Sequence, residues 1–194
     1  MKKDIILSGV GGQGILTIAA IIGNAALRKG LFIKQSEVHG MSQRGGDVQA
    51  NLRISSKPVL SDLIPEGKAD LIISVEPMEA LRYVHMLDKE NGWLITSTNP
   101  LKNIPDYPDM DDILNEIKNL PRYVVLDAEK IAKDIGSAKA ANIVVLGASA
   151  PFVDLEYDVL EDSIKEIFAR KGDDIVNMNL KALKAGFEIA QKSK

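Results

Sequence analysis

Two glycine-bearing stretches carry the residue types that chemistry needs. In the first, Gly9, Gly11 and Gly14 stand in G-x-G-x-x-G spacing, with Gly12 and Gln13 between them. An apolar run, Asp4 to Ser8, leads into this stretch, and a longer one, Ile15 to Leu27, leads away. The pattern predicts a tight strand-to-helix turn whose backbone amides can face an anion at the helix N-terminus. Glu37 follows about 20 residues later, where a ribose-binding acid belongs in a dinucleotide site. Three readings stay open on spacing alone. The turn binds a dinucleotide, it binds another phosphate-bearing ligand, or its glycines only let helix and strand pack closely.

The second stretch runs His39-Gly40-Met41-Ser42-Gln43-Arg44-Gly45-Gly46. Arg44 offers a planar fork that pairs with a carboxylate or phosphate. His39 can donate or shuttle a proton near neutral pH. Gly45 and Gly46 permit a backbone turn beside such a ligand. The plainer alternative has Arg44 and His39 holding the loop shape or a subunit contact. In a doubly wound sheet both loops leave the carboxyl ends of neighbouring strands and meet at one crevice. Its lining is expected to include Gly9, Gly11, Gly12, Gln13, Gly14, Ser42, Gln43, Gly45 and Gly46, with Arg44 and His39 as the catalytic candidates. Weaker candidates are Thr96, Ser97, Thr98 and Asn99 at a strand end, and Glu76, which faces the crevice or serves its own helix. His85 reads as a surface residue. No Ser-His-Asp arrangement, P-loop lysine or metal-spaced cluster is evident.

The elements that must position these residues follow from periodicity. Consecutive apolar residues at Asp4–Ser8 predict a central strand buried on both faces. Ile15, Ile18, Ala19, Ile22 and Ala26 share one face of a helix from Gly12 to about Arg28, stopped at Lys29-Gly30. Strands are expected at Leu31–Val38, Asp47–Ile54, Leu71–Val75, Trp93–Thr96 and Tyr123–Leu126. A helix opening at Glu76-Pro77 should run to about Leu87, and Ile113, Leu114 and Ile117 mark a short one. Residues 138–150 are rich in small side chains and suit either a packed helix or a helix running into a strand. Two amphipathic helices, about Glu156–Arg170 and Asp174–Gln191, end the chain. The expected fold is α/β: a Rossmann-like, doubly wound, mainly parallel sheet with helices on both faces and two C-terminal amphipathic helices.

The 194 residues suit a single domain spanning 1–194. With 24 basic and 27 acidic residues the net charge is −3, so nothing argues for nucleic acid as a partner. No apolar run approaches the length of about 18 residues that would span a membrane. The N-terminus runs straight into a strand without a signal-peptide pattern, and a cytoplasmic location is the expectation. The chain contains no cysteine and two histidines, so it cannot ligate an iron–sulfur cluster through thiolates and offers little to a transition metal.

Taken together, Gly9-Val-Gly-Gly-Gln-Gly-Ile-Leu-Thr17 and Ser36-Glu-Val-His-Gly-Met-Ser-Gln-Arg-Gly-Gly-Asp-Val48 resemble the gamma-type domain of the 2-oxoacid:ferredoxin oxidoreductases. The second block is similar to the beta subunit of the indolepyruvate branch. Ala69-Asp70-Leu71, Glu76-Pro77-Met-Glu-Ala-Leu-Arg82 and Gly92-Trp-Leu-Ile-Thr-Ser-Thr98 extend the likeness over nearly the whole chain. The resemblance implies an accessory subunit in the oxidative decarboxylation of aryl 2-oxoacids to aryl-acetyl-CoA, with reduction of ferredoxin. It implies thiamine diphosphate with Mg2+, iron–sulfur clusters and coenzyme A in the complex. The first two would sit on a larger catalytic alpha subunit, since no Gly-Asp-Gly…Asn thiamine motif occurs here. Three rivals remain at this point. They are a gamma subunit for another 2-oxoacid (pyruvate, 2-oxoglutarate or branched-chain), a free-standing Rossmann-type oxidoreductase using a nicotinamide or flavin, and a partner with no ligand contact.

Overall fold

The structure is a computed structural model describing residues 1–40 and 45–192, the His39 side chain aside. Six strands form one sheet: β1 (Lys2–Val10), β2 (Phe32–His39), β3 (Asp47–Ser55), β4 (Leu71–Ser74), β5 (Trp93–Ser97) and β6 (Tyr123–Leu126). Their spatial order is β2-β3-β1-β4-β5-β6. Strands β1, β4, β5 and β6 pair in parallel, whereas β3 runs antiparallel to both β1 and β2. The sheet is therefore mixed and mainly parallel, as expected, but the first two strands are not neighbours. A β2–β3 hairpin has been laid against β1, with Val10 opposite Asp47 and Lys2 opposite Ser55. That arrangement removes Glu37 from the ribose position. It lies on the edge strand, in register with Ala50, and Ala50 in turn pairs with Leu7. A whole strand separates it from the glycine turn.

Helices cover both faces. Helices α1 (Ile15–Arg28), α4 (Ala128–Ile135), α5 (Ala141–Ser149), α6 (Tyr157–Phe168) and α7 (Asp173–Gln191) bury the larger core with Ile5, Leu7, Ile73 and Ile95. Helices α2 (Pro77–Arg82) and α3 (Met110–Lys118) pack on the other face around Ile6, Ile72 and Leu94. Each isoleucine or leucine so buried contributes roughly 1.5–3 kcal/mol. Over β2 and β3 that second face carries a loop instead of a helix. Arg53 holds the carbonyls of Ser61 and Leu63 at 3.1 and 2.8 Å, and Lys34 Nζ holds that of Leu60 at 3.3 Å.

Several boundaries differ from the periodicity reading. Helix α1 starts at Ile15, with Gly14 as a left-handed N-cap at φ 78°, a conformation that side-chain-bearing residues rarely adopt. Helix α2 stops at Arg82 and a 3-10 turn, Val84–Met86, completes the segment to Leu87. Helix α4 was not anticipated; its eight residues are too few for a clear period. Residues 138–150 contain no strand. They form a 3-10 turn, α5 and a second turn, and every residue of α5 from Asn142 to Ser149 is buried. A helix buried all round has no polar stripe, which is why its periodicity was ambiguous.

Candidate functional site

The glycine turn and the β2–β3 hairpin do meet, through a route the topology dictates. Because β3 begins where β1 ends, the base of the hairpin stands beside the turn. The Gly11 amide donates to the Gly46 carbonyl at 2.8 Å, and Asn103 Nδ2 donates to the Gly45 carbonyl at 2.7 Å. The Gly40 amide meets the Asp47 carbonyl at 3.0 Å, closing the hairpin. Ser42, Gln43 and Arg44 lie outside the described residues, as does the side chain of His39.

Within the turn each residue has a distinct task. Gln13 folds back so that its Oε1 accepts the Val10 amide at 2.8 Å, while its own amide donates to the Val10 carbonyl at 3.1 Å. Gly9 is buried, and a Cβ there would stand 2.8 Å from Ile15 Cδ1 and 2.9 Å from Gln13 Oε1. Close packing accounts for Gly9. Gly14 is held from outside the turn by Asn142, whose Nδ2 donates to its carbonyl.

A cleft of about 760 Å³ opens in front of this turn. Gly12, Gln13 and Gly14 form one wall; Gly9, Gly11, Gly45 and Gly46 do not line it. The facing walls come from Ser97 at the end of β5, Asn99 and Leu101 beyond it, the Ser137–Asn142 segment, and Lys171, Ile175, Met178 and Asn179. The starts of α1 and α5 border this space. Neither has a capping side chain at its N-cap or an acidic residue in its first turn. At α5 the Ala141 amide is taken by the Ala138 carbonyl and the Ile143 amide by Asn142 Oδ1, so the partial positive charge is the more open at α1. Lys139 and Lys171 add cationic side chains, against one acid, Glu129, among the described residues of the lining. The start of α1, the lysines and Asn142 make a donor set suited to a phosphate-bearing group.

Other sequence candidates turn out to build walls. Asn99 Nδ2 donates to Asp127 Oδ1 at 2.8 Å, and Asn99 Oδ1 accepts the Ser97 hydroxyl and the Glu129 amide at 2.6 and 2.9 Å. Asp127 also accepts the Lys130 amide, capping α4. Its hydrogen bond from Asn99, then that of Lys130, lowers its pKa below the ordinary carboxylate value. Thr96 is fully buried and Thr98 continues the ladder through its amide to Leu126. His85 is exposed.

Glu76, also fully buried, serves structure twice. Its Oε2 caps α2 through the Glu79 amide at 2.8 Å. Its Oε1 accepts the Leu101 amide at 3.3 Å and the Tyr107 hydroxyl, anchoring the connector between β5 and α3. Burial and the Glu76 carboxylate together push the Tyr107 phenol up. Below the hairpin base, buried Glu79 pairs with Arg82 at 2.8 Å. Burial raises the Glu79 carboxyl despite that partner, and nearby Glu76 and Asp47 add to the rise. The sequence did not single out Asn103, Asn142, Lys139 or Lys171. Their only signal there was a polar residue among turn or small-residue segments.

Among the described residues no group of three or more His, Cys, Asp or Glu side chains gathers that could hold a metal ion. No helix among them is long and apolar enough to cross a membrane.

Comparison with known proteins places this arrangement. The family model described as pyruvate ferredoxin/flavodoxin oxidoreductase matches residues 4–189. The indolepyruvate oxidoreductase subunit IorB of Archaeoglobus fulgidus is 41% identical over 201 residues, spanning 98% of this chain and 96% of that one. The crystal structure of the gamma subunit of a keto/oxoacid ferredoxin oxidoreductase from Geobacter sulfurreducens superposes with a TM-score of 0.71 at 25% identity, covering 98% and 99% of the two chains. The 2-oxoglutarate:ferredoxin oxidoreductase of Magnetococcus marinus shares the fold with a TM-score of 0.76 at 20% identity; all of this chain matches 32% of that longer one. The chain belongs to the pyruvate ferredoxin/flavodoxin oxidoreductase family.

Proposed function

We propose that this chain is the accessory subunit of an indolepyruvate or arylpyruvate:ferredoxin oxidoreductase. The complex would convert an aryl 2-oxoacid, coenzyme A and oxidised ferredoxin into an aryl-acetyl-CoA, carbon dioxide and reduced ferredoxin. The observation that carries this reading is the 41% identity to an IorB subunit along nearly the full length of both chains. The iron–sulfur clusters belong to a larger catalytic partner, because a chain without cysteine has no thiolate for a cluster. Thiamine diphosphate with Mg2+ is assigned there too, since this chain has no Gly-Asp-Gly…Asn pattern. Thiamine diphosphate, when bound there, supplies the carbanion chemistry at the 2-oxo carbon. The whole of residues 1–194 acts as one domain in the cytoplasm, where coenzyme A and ferredoxin are available.

This chain's own residues have two tasks in the proposal. Gly12 to Gly14, Asn142, Lys139 and Lys171 seat the phosphates of coenzyme A in the cleft, a role for which the start of α1 and the lysines are suited. The hairpin from His39 to Gly46, with Arg44 and His39, completes the partner's catalytic crevice, and its contact with Gly11 links it to the cleft.

Co-purification from the source cell tests the assignment. A large, brown partner carrying thiamine diphosphate, with indolepyruvate-dependent ferredoxin reduction, is the expected result. A lone chain active with its own cofactor would overturn it, and preference for pyruvate or 2-oxoglutarate would correct the substrate. In the assembled complex Arg44→Ala should keep assembly and depress turnover; undiminished turnover would remove Arg44 from the site.

A further inference from the structure

Four carboxamide side chains line the cleft among the described residues: Gln13, Asn99, Asn142 and Asn179. Three of them spend their oxygen inside the protein. Gln13 Oε1 accepts the Val10 amide, Asn99 Oδ1 the Glu129 amide, and Asn142 Oδ1 the Ile143 amide at 3.0 Å. Asn179 differs. Its Nδ2 donates to the Ile175 carbonyl at 2.7 Å, one turn earlier in α7, while its Oδ1 meets no donor among the described residues. Turning the amide over would set its oxygen against the Ile175 carbonyl, so the orientation of this free acceptor is fixed.

Asn179 is 4% exposed, and it lines the cleft. Buried polar groups are normally paired, and asparagine is a poor residue for a helix interior. Neither the helix nor the core beside it, where Ala182 and Leu183 are fully buried, explains the choice. An acceptor kept without a partner at the wall of a cleft suits a donor on a ligand. Its neighbours narrow which donor. Ile175 and Met178 stand beside it on α7, and Phe168 adds an aromatic ring from the end of α6. Lys171 Nζ lies 5.1 Å from the centre of that ring, so a cation able to pair with a phosphate sits against an apolar wall. A nucleotide offers the matching set: an anionic phosphate, a flat apolar base and an amine on the edge of the base. The pantetheine arm of coenzyme A offers amide donors but neither a ring nor a charge.

We propose that Asn179 is a specificity-determining residue of the cleft: its Oδ1 accepts the exocyclic amine of an adenine base lying against Ile175, Met178 and Phe168. Asparagine reads the same amine of adenine in nucleic acids. The proposal rests on the reading that the cleft seats coenzyme A, whose nucleotide end carries adenine, and its test separates the two. Adenosine diphosphate and inosine diphosphate differ at one group of the base, an amine in the first and a carbonyl oxygen in the second. Calorimetry on the native complex should find adenosine diphosphate bound about tenfold more tightly, the scale of one hydrogen bond. Asn179→Ala should weaken adenosine diphosphate about tenfold and leave inosine diphosphate no weaker, a result that a distorted cleft would not give. Asn179→Asp, which keeps an acceptor, should keep the preference between the two. Lys171→Glu should weaken both nucleotides alike. In turnover, Asn179→Ala should raise the KM for coenzyme A about tenfold at unchanged kcat.

Equal binding of the two nucleotides by wild type, or an equal loss of both in Asn179→Ala, would overturn the adenine contact and leave coenzyme A in the cleft. So would weaker binding of pantetheine in that variant, since the acceptor would then serve the arm. Binding of neither nucleotide would defeat both readings. A preference for adenine that Asn179→Ala abolishes, with Lys171→Glu without effect, would keep the base contact and defeat the phosphate seat.

Discussion

Asn142 reaches over 128 residues of chain to donate to the Gly14 carbonyl at 3.1 Å, tying the start of α5 to the start of α1. The contact leaves no room for a side chain at Gly14, where a Cβ would stand 2.5 Å from Asn142 Nδ2. Asn142→Ala should therefore cost about 1 kcal/mol, the net value of one such bond. Gly14→Ala should cost about 2 kcal/mol or more, since it adds backbone strain at φ 78° to the clash. Urea denaturation of the two variants checks the order. Equal losses would mean that the left-handed cap contributes nothing.

Helices α5 and α7 cross with almost no gap. A Cβ on Gly147 would lie 2.0 Å from the Leu183 carbonyl oxygen, and one on Gly186 would lie 1.9 Å from that of Val144. Both obstacles are backbone, so neither can swing aside. Gly147→Ala and Gly186→Ala should each destabilise by about 3 kcal/mol, with Tm lower by roughly 10 °C in a chain of this size. Thermal melts that fall by only about 2 °C would show that the crossing can open without loss.

Acid should loosen the N-terminal strand. Asp4 is fully buried, and Arg53 grips it with Nε and Nη2 at 2.8 and 3.0 Å. Burial alone would raise the Asp4 pKa, but the hydrogen bonds and charges of Arg53 and Lys2 outweigh it and hold it below the ordinary 3.8. A depressed folded pKa stabilises the fold above 3.8, and that stability is lost as pH falls through the folded value. Arg53→Leu strands the carboxylate and should cost about 3 kcal/mol at neutral pH, near the lower end for a broken buried pair because Lys2 remains. Its deficit should shrink in urea titrations carried below the Asp4 transition. A deficit independent of pH would assign the loss to the carbonyls of Ser61 and Leu63 instead.

Glu79 has the opposite sign. Its raised folded pKa gives stability that is present below 4.5 and lost as pH rises towards the folded value. Glu79→Gln, which stays neutral, should flatten that part of the stability profile. A slope unaltered by the substitution would place the titration elsewhere.

Charge reversal tests the cleft. If Lys139 and Lys171 seat phosphates, Lys139→Glu and Lys171→Glu should each weaken coenzyme A binding about tenfold at low salt and less at high salt. Pantetheine, which lacks the nucleotide phosphates, should bind wild type and variants alike. Calorimetry on the complex that finds both ligands affected equally would mean that the substitutions distort the cleft.

The periodic elements were legible because they are amphipathic or contiguous: β1, α1 and the two C-terminal helices fall within about three residues of where their patterns place them. Helix α5 was ambiguous because its surroundings are apolar on every side. The position of β3 between β1 and β2 was not legible at all. Periodicity reports which face of a strand is buried, not which strand lies beside it. Gly9 to Gly14 were legible as a turn, yet the opposite wall of the cleft was not. Asn142, Lys139 and Lys171 arrive from more than 120 residues away, and only the packing of α5 and α7 brings them to the turn. Ser97 and Asn99 carried the chemistry of ligand binding in the sequence, but the start of α4 uses it.

The central place of β1 has a consequence for biosynthesis. The strand is flanked by β3 on one side and β4 on the other, so its second edge stays open until residue 74 has been made. Its own Ile5 and Leu7 join the core that α5 and α7 complete, whereas Ile6 joins the other core, under α2 and α3. A strand made early thus waits for elements made much later. Until then the nascent chain carries an apolar edge of the kind that chaperones bind and that unshielded chains use to aggregate.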